Sequence, residues 1–260
     1  HLVVRTADLA VTVGTDPWRF RVADRDGRTL FEERREDPGD KNGFAVAPLG
    51  FEEAERSEWV YATDRAGIGF EIHPDERFYG LGERFTGVDA RGTTADVHVS
   101  QPHTTDNERT YKGVPFLLSS RGYGLLVDTT RRTEVGLGAG AGSAQGGEIR
   151  VDGTGFSFLF FHGPDPADVL RNYTAAAGRP SRPPAWSFGL WTSRYSYEDR
   201  AAVERVTDRF RSEEIPCDGV HLDVSWMRDG HESDLVWDTD AFPAPESLVD
   251  DLAARDFRLM

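Results

Sequence analysis

Two short apolar segments, separated by a helical pattern, lie in the last third of the chain and restrict its fold more than any other feature. The first, at residues 186–191, follows the proline pair at 183–184, and the second spans residues 219–224. Between them, residues 197–214 repeat apolar side chains every three or four positions, which predicts an amphipathic helix. A strand, a helix and a second strand in this order predict a parallel βαβ unit.

The alternation of strand and helix continues to the last residue. A second helical pattern, with Leu248, Val249 and Leu252 predicted to face inward, leads to an apolar stretch at residues 257–260. A (β/α)8 TIM barrel has eight strands and usually about 250 residues. Residues 185–260 would therefore hold only the first two to three strands of such a barrel, and we expect the chain to be truncated within it.

Residues 1–163 show a different pattern, with short runs of β-branched and aromatic residues between glycine and aspartate turns. Many short strands joined by tight turns predict an antiparallel β-sandwich. The predicted strands are residues 2–4, 10–13, 18–22, 67–72, 114–118, 123–127, 148–151 and 156–161.

A connecting segment, residues 164–184, is predicted to join the sandwich to the barrel. Asp165 is placed to cap a helix whose first turn contains Pro166, and Gly178 is placed to end it. The prolines that follow cannot continue the helix. The predicted apolar face of this helix comprises Val169, Leu170 and Tyr173. In the first barrel helix the predicted cap is Ser196.

The net charge of the chain restricts the classes of partner that it can bind. With 45 acidic and 30 basic residues the formal net charge is −15, which disfavours nucleic acid and anionic membranes. No apolar run approaches the roughly 20 residues of a membrane span. Cys217 is the single cysteine, so an intrachain disulfide is excluded. We expect a neutral substrate, with a cationic one as the alternative, and a cytoplasmic protein, with secretion left open because the chain begins at His1.

The second barrel strand places a carboxylate where barrel enzymes keep their sites. Alternation puts His221, Asp223 and Ser225 on one face, and Asp223 lies at the carboxyl end beside Trp226. A carboxylate there can accept hydrogen bonds from sugar hydroxyls. The alternative is an aspartate that caps or forms an ion pair at a strand end. Neither the histidines nor the acidic residues have the spacing of a metal site, so we expect no metal and no cofactor.

Several segments, taken together, resemble glycoside hydrolase family 31, the family of α-glucosidases and α-xylosidases. They occur in the order that the family shows and cover roughly residues 70–260. The segments are residues 78–85, 111–116 with 121–124, 178–191, and 222–238 followed by Phe242-Pro243. The resemblance implies a β-sandwich packed on a catalytic barrel and a reaction that retains the anomeric configuration.

The resemblance also implies roles for individual residues in binding the sugar at the −1 subsite. Asp223 matches the aspartate that holds sugar hydroxyls, Trp226 the aromatic residue after it, and Tyr195 the aromatic residue in the loop after the first barrel strand. Asp106 is a weaker match to a loop that reaches over the site. Ser225 occupies the position at which many α-glucosidases carry a second acidic residue.

No residue of this chain is predicted to be catalytic. In the family the nucleophile and the general acid/base are aspartates of later barrel strands, so we expect both to follow Met260. The 260-residue chain is therefore expected to be inactive alone. A homo-oligomer of the full-length enzyme is left open.

The resemblance leaves the sugar undecided between two substrates. Two short stretches, Trp226-Met227 and residues 234–238, favour an α-xylosidase, although that branch tends to have an aromatic residue at Ser225 and a tryptophan near Glu232. An α-glucosidase is the alternative within the family. Outside it, the alternative is a non-catalytic carbohydrate-binding sandwich, which would not explain the βαβ pattern after Pro184.

Overall fold

The chain folds into two compact units, which meet in sequence at Arg179 and Pro180. A computed structural model describes residues 1–16, 18–34, 49–52, 64–100, 109–138, 146–228 and 233–260. The predicted domain bounds of 163 and 184 stay a prediction. No helix of the described residues is long and apolar enough to cross a membrane.

The first unit is built from antiparallel sheets, as the short strands and turns predict. Three sheets have the strand orders β1-β2-β3-β4, β13-β10-β9-β7 and β5-β6-β12-β11-β8. The strands are β1 Leu2–Arg5, β2 Leu9–Thr15, β3 Trp18–Asp24, β4 Thr29–Glu32, β5 Leu49–Glu52, β6 Arg65–Glu71, β7 Phe78–Gly80, β8 Thr94–Val97, β9 Phe116–Ser119, β10 Tyr123–Val127, β11 Thr133–Leu137, β12 Gly146–Asp152 and β13 Phe158–His162.

Five of these strands, β4, β5, β7, β8 and β11, were not predicted. Each is only three to five residues long, and most include a polar or glycine residue that interrupts the apolar run. Strand β9 begins at Phe116 rather than at residue 114, because Pro115 has no N–H to donate to a ladder. These strands depend on cross-strand pairing more than on their own composition.

Within the described residues of the first unit there is one α-helix, α1 (Pro166–Ala177). Asp165 caps it as predicted, since its carboxylate accepts hydrogen bonds from the backbone N–H groups of Ala167 at 2.8 Å and Asp168 at 3.1 Å. Val169 is buried, and Tyr173 stacks on a phenylalanine of β9 with ring centroids 4.0 Å apart. Leu170 was predicted to face inward but is 41% exposed, since adjacent helical positions point about 100° apart.

An ionisable side chain lies inside the apolar core of the first unit. Glu76 is 1% exposed, and its Oε1 accepts hydrogen bonds from the hydroxyls of Ser119 at 2.5 Å and Tyr123 at 2.8 Å. The other oxygen accepts from the backbone N–H of His73 at 3.1 Å. Burial, together with the adjacent carboxylate, raises the pKa of Tyr123 well above its usual value. Glu76 thus satisfies two hydroxyl groups that would otherwise be unpaired in the core.

The second unit is a parallel sheet with helices between its strands, as predicted. The strand order is β14-β15-β16, and both pairings are parallel. The elements are β14 Trp191–Arg194, α2 Arg200–Ser212, β15 Gly219–Leu222, α3 Pro245–Ala253 and β16 Arg258–Leu259. Its core comprises Tyr197, Ala202, Val203, Cys217, Val220, Leu222, Phe242, Leu248, Leu252 and Phe257.

The first barrel strand was predicted at the wrong residues. Residues Ala185–Phe188 form a 3₁₀ turn, and the strand begins only at Trp191. Ser187 stabilises that turn, because both its N–H and its hydroxyl donate to the carbonyl of Pro184, at 3.1 and 2.7 Å. Serine side chains compete with extended structure in this way.

Two details of the helices also differ from the prediction. Asp199, and not Ser196, caps α2, with its carboxylate accepting from the N–H of Ala202 at 2.6 Å. In α3, Leu248 and Leu252 are buried as predicted, whereas Val249 is 43% exposed.

Replacing Glu76 with alanine should destabilise the first unit by roughly 2–3 kcal/mol, because two core hydroxyls lose their acceptor. Hydrogen exchange of the β9 and β10 amides in the full-length protein would measure this, since it reports the opening of these strands. As the control, Glu83→Ala removes an exposed partner of Lys112 and should change protection little. Equal protection in the two variants would contradict a structural role for Glu76.

Candidate functional site: the carboxyl edge of the parallel sheet

The three strands of the second unit bring their carboxyl ends to one edge of the sheet. Strands β14 and β15 pair from Trp191 opposite Gly219 to Arg194 opposite Leu222. The residues that follow the last pair are Tyr195 and Asp223, so the register delivers both to the same edge. In a parallel α/β fold this edge is where ligands bind.

Asp223 directly follows β15, at the point where the chain leaves the sheet. A 3₁₀ segment, Val224–Trp226, begins immediately after it, and the Asp223 side chain does not cap that segment. The residue is partly buried, and across the described parts of the chain its carboxylate has no hydrogen-bond or ion-pair partner. The alternative of a capping or ion-paired aspartate is therefore wrong within these residues. A partly buried carboxylate without a partner is available to accept hydrogen bonds from a ligand.

The predicted alternation holds inside β15 and stops at its end. Val220 and Leu222 are buried in the core, whereas His221 faces the other way and its Nδ1 lies 3.2 Å from the hydroxyl of Ser193. Ser225 was predicted to continue this face, but it lies in the 3₁₀ segment. The two-residue period therefore no longer determines its direction.

A hydrogen bond between two loops joins the first and second strand ends. The hydroxyl of Ser196 donates to the hydroxyl of Ser225 at 2.8 Å. Ser196 follows β14 and Ser225 follows β15, so this bond fixes one loop against the other. Sequence reasoning assigned Ser196 to a helix cap and missed this contact, because no local pattern relates residues 29 positions apart.

Trp226 is partly buried and packs against a second tryptophan. Its ring centroid lies 4.8 Å from that of Trp237, and the carbonyl of Trp226 accepts a hydrogen bond from the N–H of Asp238 at 2.9 Å. Both tryptophans pack against the core of the second unit. The ring predicted to contact the sugar is thus held by tertiary contacts.

The two remaining predicted residues have different outcomes. Tyr195 lies at the sheet edge and is 79% exposed, which leaves its ring open to solvent. Asp106 lies outside the described residues. The sugar-binding roles of Asp223, Trp226, Tyr195 and Ser225 remain predictions. Among the described residues, no group of three His, Cys, Asp or Glu side chains is arranged to hold a metal ion.

Each of the two units contains residues that match a domain of a known protein family. Residues 1–135 match the glycosyl hydrolase 31 N-terminal galactose mutarotase-like domain, and residues 180–260 match the glycosyl hydrolases family 31 TIM-barrel domain. The chain belongs to glycoside hydrolase family 31. The β-sandwich followed by the first strands of a TIM barrel is the fold that the sequence predicts.

Individual relatives include enzymes acting on two different sugars. The chain is 36% identical to the α-xylosidase XylQ of Lactiplantibacillus pentosus, over 76% of this chain and 26% of the relative. It is 28% identical to α-glucosidase 2 of Bacillus thermoamyloliquefaciens, over 100% of this chain and 31% of the relative. The chain thus spans about a quarter to a third of these proteins.

A solved structure supports the same fold. A family 31 dextranase of Flavobacterium johnsoniae, determined as a mutant with isomaltotriose, superposes with a TM-score of 0.82 and 25% identity. The match covers 99% of this chain and 29% of the dextranase chain.

Proposed function

We propose that the full-length protein is a retaining α-glycosidase and that the carboxyl edge of β14–β16 forms part of its −1 subsite. The observation that carries the proposal is the partly buried Asp223 carboxylate, which has no partner among the described residues and lies at the ligand-binding edge of a parallel sheet. Membership of family 31 supports the reaction class.

In this proposal the described residues bind the sugar and do not break the glycosidic bond. The Asp223 carboxylate accepts hydrogen bonds from two ring hydroxyls, and the Trp226 ring gives the sugar an apolar contact. A retaining enzyme needs two further carboxyl groups about 5–5.5 Å apart, one as nucleophile and one as general acid/base. We expect both on barrel strands that follow Met260, so residues 1–260 alone should not turn over substrate.

We place α-xylosides first among the substrates and α-glucosides second. The 36% identity to an α-xylosidase supports this order, and the 28% identity to an α-glucosidase keeps the alternative. Glucose carries a hydroxymethyl group that xylose lacks. Ser225, which replaces the second acidic residue of many α-glucosidases, offers no charge for an additional hydroxyl, and its own hydroxyl already accepts from Ser196.

A non-catalytic carbohydrate-binding sandwich remains the alternative from another class. It would account for the sheets of the first unit. It gives no reason for three parallel strands with intervening helices, or for a TIM-barrel match over residues 180–260.

The full-length protein should hydrolyse 4-nitrophenyl α-xyloside faster than the α-glucoside, and the sugar released first should be the α-anomer. Release of nitrophenol measures the first expectation, and proton NMR of the initial product measures the second. A glucoside preference would reverse the substrate order. Initial release of the β-anomer would overturn retention, and binding without any hydrolysis would favour the sugar-binding alternative.

Replacing Asp223 with asparagine in the full-length enzyme should lower kcat/KM by roughly a hundredfold, because charge-assisted hydrogen bonds to the sugar are lost. The matched control is Asp250→Asn, which changes an exposed aspartate of α3 and should leave kcat/KM unchanged. Thermal melting would show that both variants are folded. Near-equal kcat/KM in the two variants would count against a sugar contact at Asp223.

Replacing Ser225 with aspartate should increase the glucoside-to-xyloside ratio of kcat/KM by about ten- to a hundredfold, the effect of one hydrogen bond to a charged group. Asparagine has the shape of aspartate without its charge, so Ser225→Asn should shift the ratio less than Ser225→Asp. The kinetics of both variants with the two nitrophenyl glycosides test this. If neither variant moves the ratio, Ser225 does not face the part of the sugar that differs.

A further inference from the structure

The ring of Trp226 is not fixed by the strand that places Asp223. Strand β15 ends at Leu222, and Trp226 is the last residue of the short 3₁₀ segment that follows. Its ring packs against the ring of Trp237, with centroids 4.8 Å apart and planes inclined by 58°. Tilted aromatic pairs at this separation are favourable beyond the area they bury.

The backbone on either side of the two rings is paired as well. Met227 and Trp237 form an antiparallel bridge. The N–H of Arg228 donates to the carbonyl of Val236 at 3.2 Å, which extends the pairing by one residue. Outside this bridge, the Arg228 guanidinium donates from Nε and Nη2 to one carboxylate oxygen of Asp234, at 3.1 and 2.5 Å. These contacts hold Met227 and Arg228 against residues 234–237.

Trp237 is in turn anchored on the core. Its ring centroid lies 5.7 Å from that of Phe242, which is completely buried. The N–H of Phe242 donates to the carbonyl of Asp238 at 2.8 Å, so the backbone after Trp237 is fixed too. A continuous line of aromatic contacts therefore runs from the core through Trp237 to Trp226.

We infer that Trp237 is a positioning residue, which holds the Trp226 ring at the carboxyl edge of the sheet and so sets which sugar the −1 subsite accepts. The inference rests on the proposed function. Xylose and glucose differ by one hydroxymethyl group, and a rigidly held ring excludes such a group more strongly than one free to rotate. Trp237 itself need not touch the sugar.

The test compares kcat and KM for nitrophenyl α-xyloside and α-glucoside in the full-length wild type, Trp237→Ala and Trp237→Phe. We expect Trp237→Ala to reduce the xyloside preference about tenfold, as expected from the loss of one aromatic pair. Because the preference rests on exclusion of the hydroxymethyl group, the reduction should come mainly from a lower KM for the α-glucoside, with a smaller change in kcat. Trp237→Phe retains an aromatic ring against Trp226 and should therefore keep most of the wild-type preference for xyloside.

A double-mutant cycle shows whether Trp237 acts through Trp226. If it does, Trp226→Ala and the double variant with Trp237→Ala should have the same xyloside-to-glucoside ratio. A further change in the double variant would overturn the inference, because Trp237 would then act by another route.

Trp186→Ala is the matched control for loss of a tryptophan from this unit. Trp186 is 38% exposed, packs at 5.7 Å against Trp191 and lies before β14, away from the carboxyl ends of the strands. It should lower the melting temperature without changing the sugar ratio. If Trp237→Ala does not fold, Trp237→Leu replaces it with the same expectation.

The outcomes separate the inference from the proposed function. A wild type that hydrolyses α-glycosides, with equal sugar ratios in the Trp237 and Trp186 variants, would overturn the positioning role alone. A wild type that hydrolyses neither glycoside would overturn the proposed function and this inference with it.

Discussion

The parallel pairing of β14 with β15 is the constraint on which the rest of the second unit depends. Parallel strands cannot be joined by a tight turn, so the chain must cross over through α2 before β15 can pair. That crossover buries Val203 of the helix and Val220 of the strand in one core. The same pairing aligns the strand ends, so the residues after Arg194 and Leu222 leave the sheet side by side. The candidate site exists because of this register.

Contacts with the core also position Trp226, one of the residues proposed to bind sugar. Phe242 is completely buried, Trp237 packs on it, and Trp226 packs on Trp237. Within the part of the chain that the structure describes, Asp223 has no such support from side chains and is placed by the end of β15. The strand therefore positions the carboxylate, whereas tertiary packing positions the ring. In the first unit, by contrast, the buried carboxylate of Glu76 accepts hydrogen bonds from core hydroxyls, so it has a structural role.

Membership of family 31 and the geometry of the edge support different parts of the proposed function. The family matches support an α-glycosidase reaction. The geometry supports Asp223 as the sugar-binding carboxylate, because its partners are absent among the described residues. In the proposal, the choice between xylose and glucose depends on the Ser225 hydroxyl and on the orientation of the Trp226 ring. Each of these groups contacts a residue outside β15 and the 3₁₀ segment, Ser196 for Ser225 and Trp237 for Trp226.

The sequence by itself determined the features that arise from local patterns. Asp165 and Gly178 bound α1, the three- and four-residue spacing gave α2 and α3, and the alternation of strand and helix gave a parallel sheet with Asp223 at its carboxyl edge. Even β11 carries such a pattern, since Thr133, Val135 and Leu137 are buried in alternation. It was missed because intervening polar and glycine residues weaken a run of only five.

Only the tertiary structure decided the features that depend on residues far apart in the chain. It moved the first barrel strand to Trp191–Arg194, bonded Ser196 to Ser225 rather than to a helix end, and brought Trp237 onto Trp226. The physical reason is the same in each case. Secondary-structure periods fix the direction of a side chain within one element, and they lose that control where the element ends. Beyond that point, direction is set by contacts that form only when the whole unit has folded.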